Sequence, residues 1–416
     1  MTKTPAEMLA ERTRRLDDVI ALKVPDRVPF IVSFQFFPAY YAEYTVREVM
    51  YDYEKALTAW KKIQIDLEPD AYDSPWAIKT IGPTLELLDY RQMKWPGHGL
   101  GDNDLYQFMD DEQMPADEYD DFLFDPSGYM LRCFLPRVSG AFAPLKDLPP
   151  LTWFYYTKIA GATAAFGQPE IKKAVETLIA AGAEEQKKLR FAKRYHQEMQ
   201  ELGFPAFSAS MAYAPYDYLG NLMRGAMGIM LDMYRLPDKL LEALDKLLKI
   251  VAEEAIYHCK TSGINRVFMP LHKGADGFMS ASQFNKFYWP TLKKLMLKFI
   301  DDGITPCPFF EGAFDTRLEI IGDIPRGKAI YWFSHTDIAE AKEVLGDTVC
   351  LRGGVPSSLL SIGTPDDVKV HCKKLIDTVG KNGGFIMDAD AAIAQPVKTE
   401  NLFAMAEFTR SYGVYG

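Results

Sequence analysis

The chain has 416 residues, of which 47 are basic and 57 acidic, giving a net charge of −10. That balance argues against a nucleic-acid backbone or an anionic membrane surface as the main partner. A hydrophobic fraction of 48% fits a soluble globular protein with a large core, and no run of 18 apolar residues exists to span a membrane.

The five cysteines, Cys133, Cys259, Cys307, Cys350 and Cys372, form no C-x-x-C pair and are odd in number. A reducing compartment, the cytoplasm, is the expected location. The first residues, Met-Thr-Lys-Thr-Pro-Ala-Glu, lack the apolar core of a signal peptide. The 26 Phe and 22 Tyr are first of all core filling, with some free to line a pocket for an aromatic ligand.

Thr4-Pro5-Ala6-Glu7 combines an N-cap, a proline in the first turn and a capping-box Glu, predicting a helix to about Leu22. A first strand is expected over Asp26–Phe34. Thr45 and Glu48 form a second capping box, predicting a helix over Thr45–Asp66. Pro69–Pro75 reads as a short strand or turn carrying Asp70 and Asp73. Residues 76–150 read as an irregular insertion in a single domain over 1–416, with a turn-rich loop at Trp95-Pro-Gly-His-Gly99 and an acidic, solvated stretch from Asp110 to Asp125. Helices are expected over Gln168–Leu202 and Lys239–His258, the second from its apolar stripe at helical spacing. Phe204–Tyr213 reads as a strand and following loop.

From residue 264 the pattern alternates. Strands are predicted over Arg266–Leu271, Ile304–Phe310, Ala329–Phe333, Thr348–Arg352 and Phe385–Asp388. Helices are predicted over Ser282–Ile300, Arg317–Ile324, Asp337–Leu345, Asp366–Val379 and Lys398–Tyr412. Repeated strand–helix units imply parallel strands, and their number fits the second half of an α/β (β/α)8 TIM barrel with an N-terminal helical extension and insertions. A doubly wound sheet is the competitor, weakened by the lack of a G-x-G-x-x-G after an early strand.

Each late strand ends on a residue able to do chemistry: His272, Glu311, His335, Arg352, and the pair Asp388 and Asp390. Strand ends of a barrel converge on one mouth. Histidine with carboxylate there is either a zinc set with an open position or an acid–base set. Taken singly, each is as well explained as a satisfied structural group or a helix cap. Cys307 and Cys350 lie within strands and read as core.

Leu351-Arg-Gly-Gly-Val-Pro-Ser-Ser-Leu-Leu360, Ile362-Gly-Thr-Pro-Asp-Asp-Val368, Gly383-Gly-Phe-Ile-Met387 and Glu400–Met405 resemble the uroporphyrinogen decarboxylase superfamily, with support from Asp26–Pro29 and Met114–Tyr119. The resemblance implies a (β/α)8 barrel and covers decarboxylases as well as methyltransferases that work with corrinoid proteins. The decarboxylases carry an arginine-rich stretch for their polycarboxylate substrate, whereas Val28–Thr45 here contains no Arg or Lys, although Asp70 or Asp73 lies near their catalytic Asp. The thiol-methylating branch carries His-x-Cys and a late Cys as zinc ligands. The first two positions are Phe309 and Glu311 here, and Asp388–Ala392 holds no Cys.

The branch that the chain resembles most is that of the O-demethylase methyltransferases of anaerobic bacteria. The resemblance implies methyl transfer from a small methoxylated aromatic compound to the Co(I) of a cobalamin-type corrinoid. A separate corrinoid-binding protein must supply it, since no D-x-H-x-x-G occurs. Glu311, His335 and His272 are the expected zinc ligands. Glu311, His272, Asp388 and Asp390 are the catalytic candidates. Phe309, Phe310, Trp332, Arg352 and the aromatics near Trp95 are candidates for holding the ring. A homodimer is the candidate assembly. The competing expectations are a cofactor-independent decarboxylase and a non-catalytic barrel that binds a small aromatic.

Overall fold

The computed structural model describes residues 3–76, 79–394 and 397–416; residues 77 and 78 of the predicted insertion fall outside them. Six parallel strands run side by side in chain order: Ser210–Met211, Arg266–Leu271, Thr305–Phe310, Ile330–Phe333, Cys350–Val355 and Phe385–Ala389. Two further segments close the ring. Residues 28–34 pair in parallel with the last strand at Phe30↔Met387. The Asp70 N–H donates to Phe30 O at 2.7 Å, and Tyr72 pairs in parallel with Ala206 ahead of the first named strand. Eight chain segments thus form a closed (β/α)8 barrel, as the alternation predicts.

The local chemistry explains several boundaries. Thr4 with Glu7 and Thr45 with Glu48 form complete capping boxes, and Asp337 caps its own helix. The helix predicted over Thr45–Asp66 is two helices, Val46–Tyr51 and Tyr53–Leu67. Asp52 breaks it, because its carboxylate accepts from the Glu54 and Lys55 N–H groups and starts a new helix. Phe204–Tyr213 yields only a two-residue strand.

The strand Thr305–Phe310 carries prolines at 306 and 308, unusual inside a sheet. The N–H groups of Thr305 and Glu311 donate to the strand Arg266–Leu271 side, so those of the even-numbered positions face the other neighbour. That neighbour, Ile330–Phe333, pairs only from Phe309 onward. The prolines therefore stand where no ladder bond is lost.

Period-two alternation divides the apolar residues between two cores. Ile31, Ala71, Phe207, Cys307, Ile330, Cys350 and Ile386 fill the lower lumen, and helix Pro5–Ile20 plugs it with Leu16, Val19 and Ile20. Cys307 and Cys350 are core as expected, with burial pushing the Cys307 thiol up to about 12. The alternate set, including Val267, Phe310, Tyr331 and Met387, packs outward under the helices. Asp70 ties the plug to the barrel. Fully buried, it accepts from Arg15 at 2.6 Å, from both Arg27 Nη atoms at 2.8 Å and from the Phe30 N–H at 2.8 Å.

The connection from Tyr72 to Ala206, within which the insertion over 76–150 is expected, includes the 33-residue helix Pro169–Glu201 and a small three-stranded sheet at Met93–Pro96, Gly99–Leu100 and Gln107–Phe108. Trp95 is a core residue of this insertion, completely buried, its indole N–H donating to Tyr51 at 2.9 Å. The expectation that aromatics near Trp95 hold a substrate is thereby corrected for Trp95 itself.

Candidate active site at the barrel mouth

The strands Arg266–Leu271 and Thr305–Phe310 are neighbours in register, so the residues that follow them, His272 and Glu311, leave the sheet side by side. His272 Nε2 lies 3.3 Å from Glu311 Oε1. Its other ring nitrogen, Nδ1, lies 2.7 Å from the Asn221 side-chain amide. The backbone beneath is fixed by Asp217. This carboxylate is fully buried and accepts from the His272 N–H at 3.2 Å, the Lys273 N–H at 2.8 Å and the Tyr288 hydroxyl at 2.5 Å.

Two opposed effects set the basicity of His272. Burial pulls its pKa down, whereas the Glu311 hydrogen bond and the negative fields of Asp217 and Glu311 push it up, and the net shift is upward. The imidazole is therefore kept protonated to higher pH than an ordinary histidine, with its proton held at the mouth.

Tyrosines surround the pair. The Tyr213 ring meets His272 edge to face at 5.9 Å between centroids, and burial raises the Tyr213 hydroxyl to about 12, with Tyr106 and Glu311 adding to the shift. Tyr106 arrives from the insertion, and its hydroxyl accepts from Gln35 Nε2 at 3.3 Å. Burial, followed by the field of Glu311, raises the Tyr106 pKa as well. No motif marks Tyr106, Tyr213, Gln35 or Asn221, because they come from loop ends, the insertion and a helix without a recognisable pattern.

Below this rim the inward positions form two walls. Met211 is in register with Phe268, and Phe309 with Trp332. The Phe309 and Trp332 rings stack at 4.0 Å, with Phe268 at 6.3 Å from each. Met211 is 45% exposed although it lies in a barrel strand, which marks open space in front of this apolar wall. The facing wall is polar. Arg352 Nε donates to Asp388 Oδ2 at 2.8 Å and Nη2 donates to Ser33 at 2.7 Å, while its guanidinium lies over the Trp332 and Phe207 rings at 4.3 and 4.4 Å. Burial pushes the Asp388 carboxyl up to about 7 against the opposing effect of Arg352. Asp73 accepts from Lys79 at 2.9 Å and from the Phe34 N–H at 3.1 Å.

Several expected site residues are already engaged or face away from the lumen. Phe310 is fully buried and packs outward against Phe314, Tyr331 and Phe333, because it alternates with the inward Phe309. Arg352 is engaged by Asp388 and Ser33 and has little surface to offer a ligand. Asp390 accepts from both the backbone N–H and the hydroxyl of Ser357, and so fixes the start of helix Ser357–Ile362. Asp70 belongs to the ion-pair network at the plug.

The proposed zinc set is not assembled. His335 is exposed and hydrogen-bonds Ser334 at 2.8 Å. Among the described residues no three His, Cys, Asp or Glu side chains converge as metal ligands. His272 and Glu311 alone fall short of the three protein ligands of an open zinc site, so the residues present do not fit that ion. No helix among the described residues is long and apolar enough to cross a membrane.

Comparison with known proteins places this barrel in context. The family model described as uroporphyrinogen decarboxylase (URO-D) matches residues 167–412. Among curated proteins, the chain is 25% identical over 199 residues to a uroporphyrinogen decarboxylase of Chlorobium phaeobacteroides, covering 44% of this chain and 52% of that protein. It is 34% identical to that of Chlorobium phaeovibrioides over 77 residues, 18% of this chain and 22% of that one. The longest of these matches spans about half the length of the curated relative. Among solved structures, a methyltransferase from Methanosarcina mazei shares the fold with a TM-score of 0.63 and 13% identity, over 96% of this chain and 98% of that one.

Proposed function

Since this chain belongs to the uroporphyrinogen decarboxylase family, we propose that it is a methyltransferase, moving a methyl group from a methoxylated aromatic compound to the Co(I) corrinoid of a separate protein. The observation that carries this reading is the His272–Glu311 pair at the mouth, set above an aromatic wall. The likeness in fold to a methyltransferase along nearly the whole chain supports it.

The chemical obstacle is the leaving group, because a phenolate leaves poorly from carbon. In the proposed step the ring lies along Phe309, Phe268 and Met211, and the ether oxygen meets His272 Nε2. As the C–O bond breaks, its electron pair goes to oxygen, which takes the proton from the His272 imidazolium. The Co(I) nucleophile supplies the pair for the new Co–CH3 bond. The products are a phenol and methyl-Co(III), and His272 remains neutral until it is reprotonated through the mouth. Glu311 holds the imidazolium before transfer, and Asn221 and Asp217 fix its position. Acid activation takes the place of the zinc activation expected from sequence.

A decarboxylase is the second reading, favoured by the names of the sequence relatives. Against it stands Val28–Thr45, which brings no Arg or Lys to meet the carboxylates of such a substrate. Mixing the chain with a reduced corrinoid protein and a panel of methoxylated phenols tests the proposal. Methyl-cobalt absorbance is the expected result, and its absence with every donor overturns it. A non-catalytic binding barrel is separated by Glu311→Gln, which slows methyl transfer in an enzyme but leaves ligand affinity in a binder.

A further inference from the structure

We infer that the lumen admits an uncharged methyl donor and excludes one bearing a carboxylate, because each cation that the strand ends bring toward it is already held by a carboxylate of the chain. The inference rests on the proposed function and narrows its substrate class.

Among the described residues, the strands and the segments following them bring Arg352, Lys79 and Lys273 to this end of the barrel, together with Arg317, which is held by Asp276 at 2.8 Å behind the loop after strand Arg266–Leu271. Arg352 is in the lumen wall, bound to Asp388 with Nη2 to Oδ2 at 2.7 Å and almost fully buried. Lys79 binds Asp73 at 2.9 Å, with both side chains mostly buried. Lys273 is buried on the outer side, where its stem packs beside Gly220 and its ammonium lies 3.9 Å from Asp110. Alternation explains the last placement, since His272 faces the mouth and its neighbour must face away. At the mouth itself, Glu311 is matched by its partner His272.

The polar wall therefore consists of two closed ion pairs, and the mouth adds a carboxylate matched by one imidazole. A bound carboxylate would have to leave water without gaining a cation, or would have to break a buried pair. Either is costly, because a buried charge that lacks a partner is strongly unfavourable. A neutral ring with hydroxyl, methoxyl or amide substituents meets no such cost. It can lie on Met211, Phe268 and Phe309 and direct its polar edge toward Ser33 and Gln35. Gln35 Oε1 is itself buried without a hydrogen-bond partner.

Two ligands of nearly identical shape separate charge from fit: 4-methoxybenzamide and 4-methoxybenzoate. Their binding to the full chain is read by calorimetry at neutral pH, with no corrinoid protein present. The amide is expected to bind at least about 100-fold more tightly than the carboxylate, given the cost of an unpaired buried charge. In Asp73→Asn, Lys79 loses its counter-ion while the Phe34 N–H keeps an acceptor. In Asp388→Asn, Arg352 is released in the same way. At least one of these variants is expected to narrow the ratio about tenfold or more by strengthening benzoate binding. Equal affinity of the two ligands for the wild-type chain overturns the inference and leaves the proposed function standing. A large ratio that neither variant narrows also overturns it, since exclusion would then not arise from the closed pairs. Failure of both ligands to bind counts against the aromatic-ether reading itself, and the inference falls with it.

Discussion

His272 and Glu311 end neighbouring parallel strands and meet with Nε2 and Oε1 3.3 Å apart. Neither residue is a neighbour of the other in sequence. The register of the two strands makes them a pair, and the Asp217 carboxylate behind the His272 backbone holds one of them in place.

Replacing Glu311 with Gln removes the main influence that raises the His272 pKa. The imidazole of the variant should titrate at lower pH than that of the wild type, as read from its NMR proton shifts. The sign of the linked stability change follows. A histidine whose pKa is raised by folding contributes stability that is fully present below its unfolded pKa, about 6.5, and lost as pH rises through its folded value. The stability difference between wild type and Glu311→Gln should therefore be largest in mild acid and shrink toward alkaline pH. A difference that grows with pH contradicts the pairing.

His272→Gln keeps a polar side chain but cannot supply an imidazolium proton. Methyl transfer from an unactivated aryl ether should slow by about 10²–10⁴-fold, the usual contribution of a positioned acid. A donor with an electron-withdrawing ring should lose less, because its phenolate leaves more readily. His335→Gln, on the exposed Ser334 contact, should leave the rate within about twofold of wild type. Stopped-flow rates with matched donors read all three.

Phe309 and Phe310 are adjacent in sequence and face opposite sides of the barrel wall. Phe310→Ala should cost about 3–5 kcal/mol of stability in urea unfolding, since its ring is fully buried beneath the helices. Phe309→Ala removes a ring stacked on Trp332 in the lumen and should weaken ligand binding measurably in the same protein that still folds. Equal effects of the two substitutions on binding contradict the alternation.

Asp70→Ala should cost about 3–5 kcal/mol, because it leaves the Arg27 guanidinium without its carboxylate partner at the barrel floor and Arg15 with Glu11 and Asp26 alone. Urea unfolding of the variant checks this. Methyl transfer by the molecules that remain folded should change little, since the floor and the mouth lie at opposite ends of the strands.

The later part of the fold was legible because each strand is a short apolar run and each following helix has a cap or a glycine stop. Arg266–Leu271 is observed with the predicted bounds, and Thr305–Phe310 differs from its prediction by one residue. The first three barrel segments were harder to read. Segments 28–34 and 70–72 join the barrel through isolated bridges, and the strand that follows them, Ser210–Met211, is only two residues long, so none shows a sustained period. The site was legible in part for the same reason. Strand ends announce His272 and Glu311, but the sequence does not reveal how many of the other strand-end polar groups are already engaged. Asp390 proved to be a helix cap, Arg352 an ion-pair partner and Phe310 an outward residue, each decided by one step of alternation or one loop turn. Tyr106 reaches the mouth from an insertion whose path no local pattern encodes.

The measurement that bears most directly on the central claim is the single-turnover rate of methyl-cobalt formation against pH, for wild type and Glu311→Gln. Acid activation by His272 predicts a rate that falls on the alkaline side as the imidazolium is lost, with that limb displaced to lower pH in the variant. A rate independent of pH, or a limb that Glu311→Gln does not move, would contradict it.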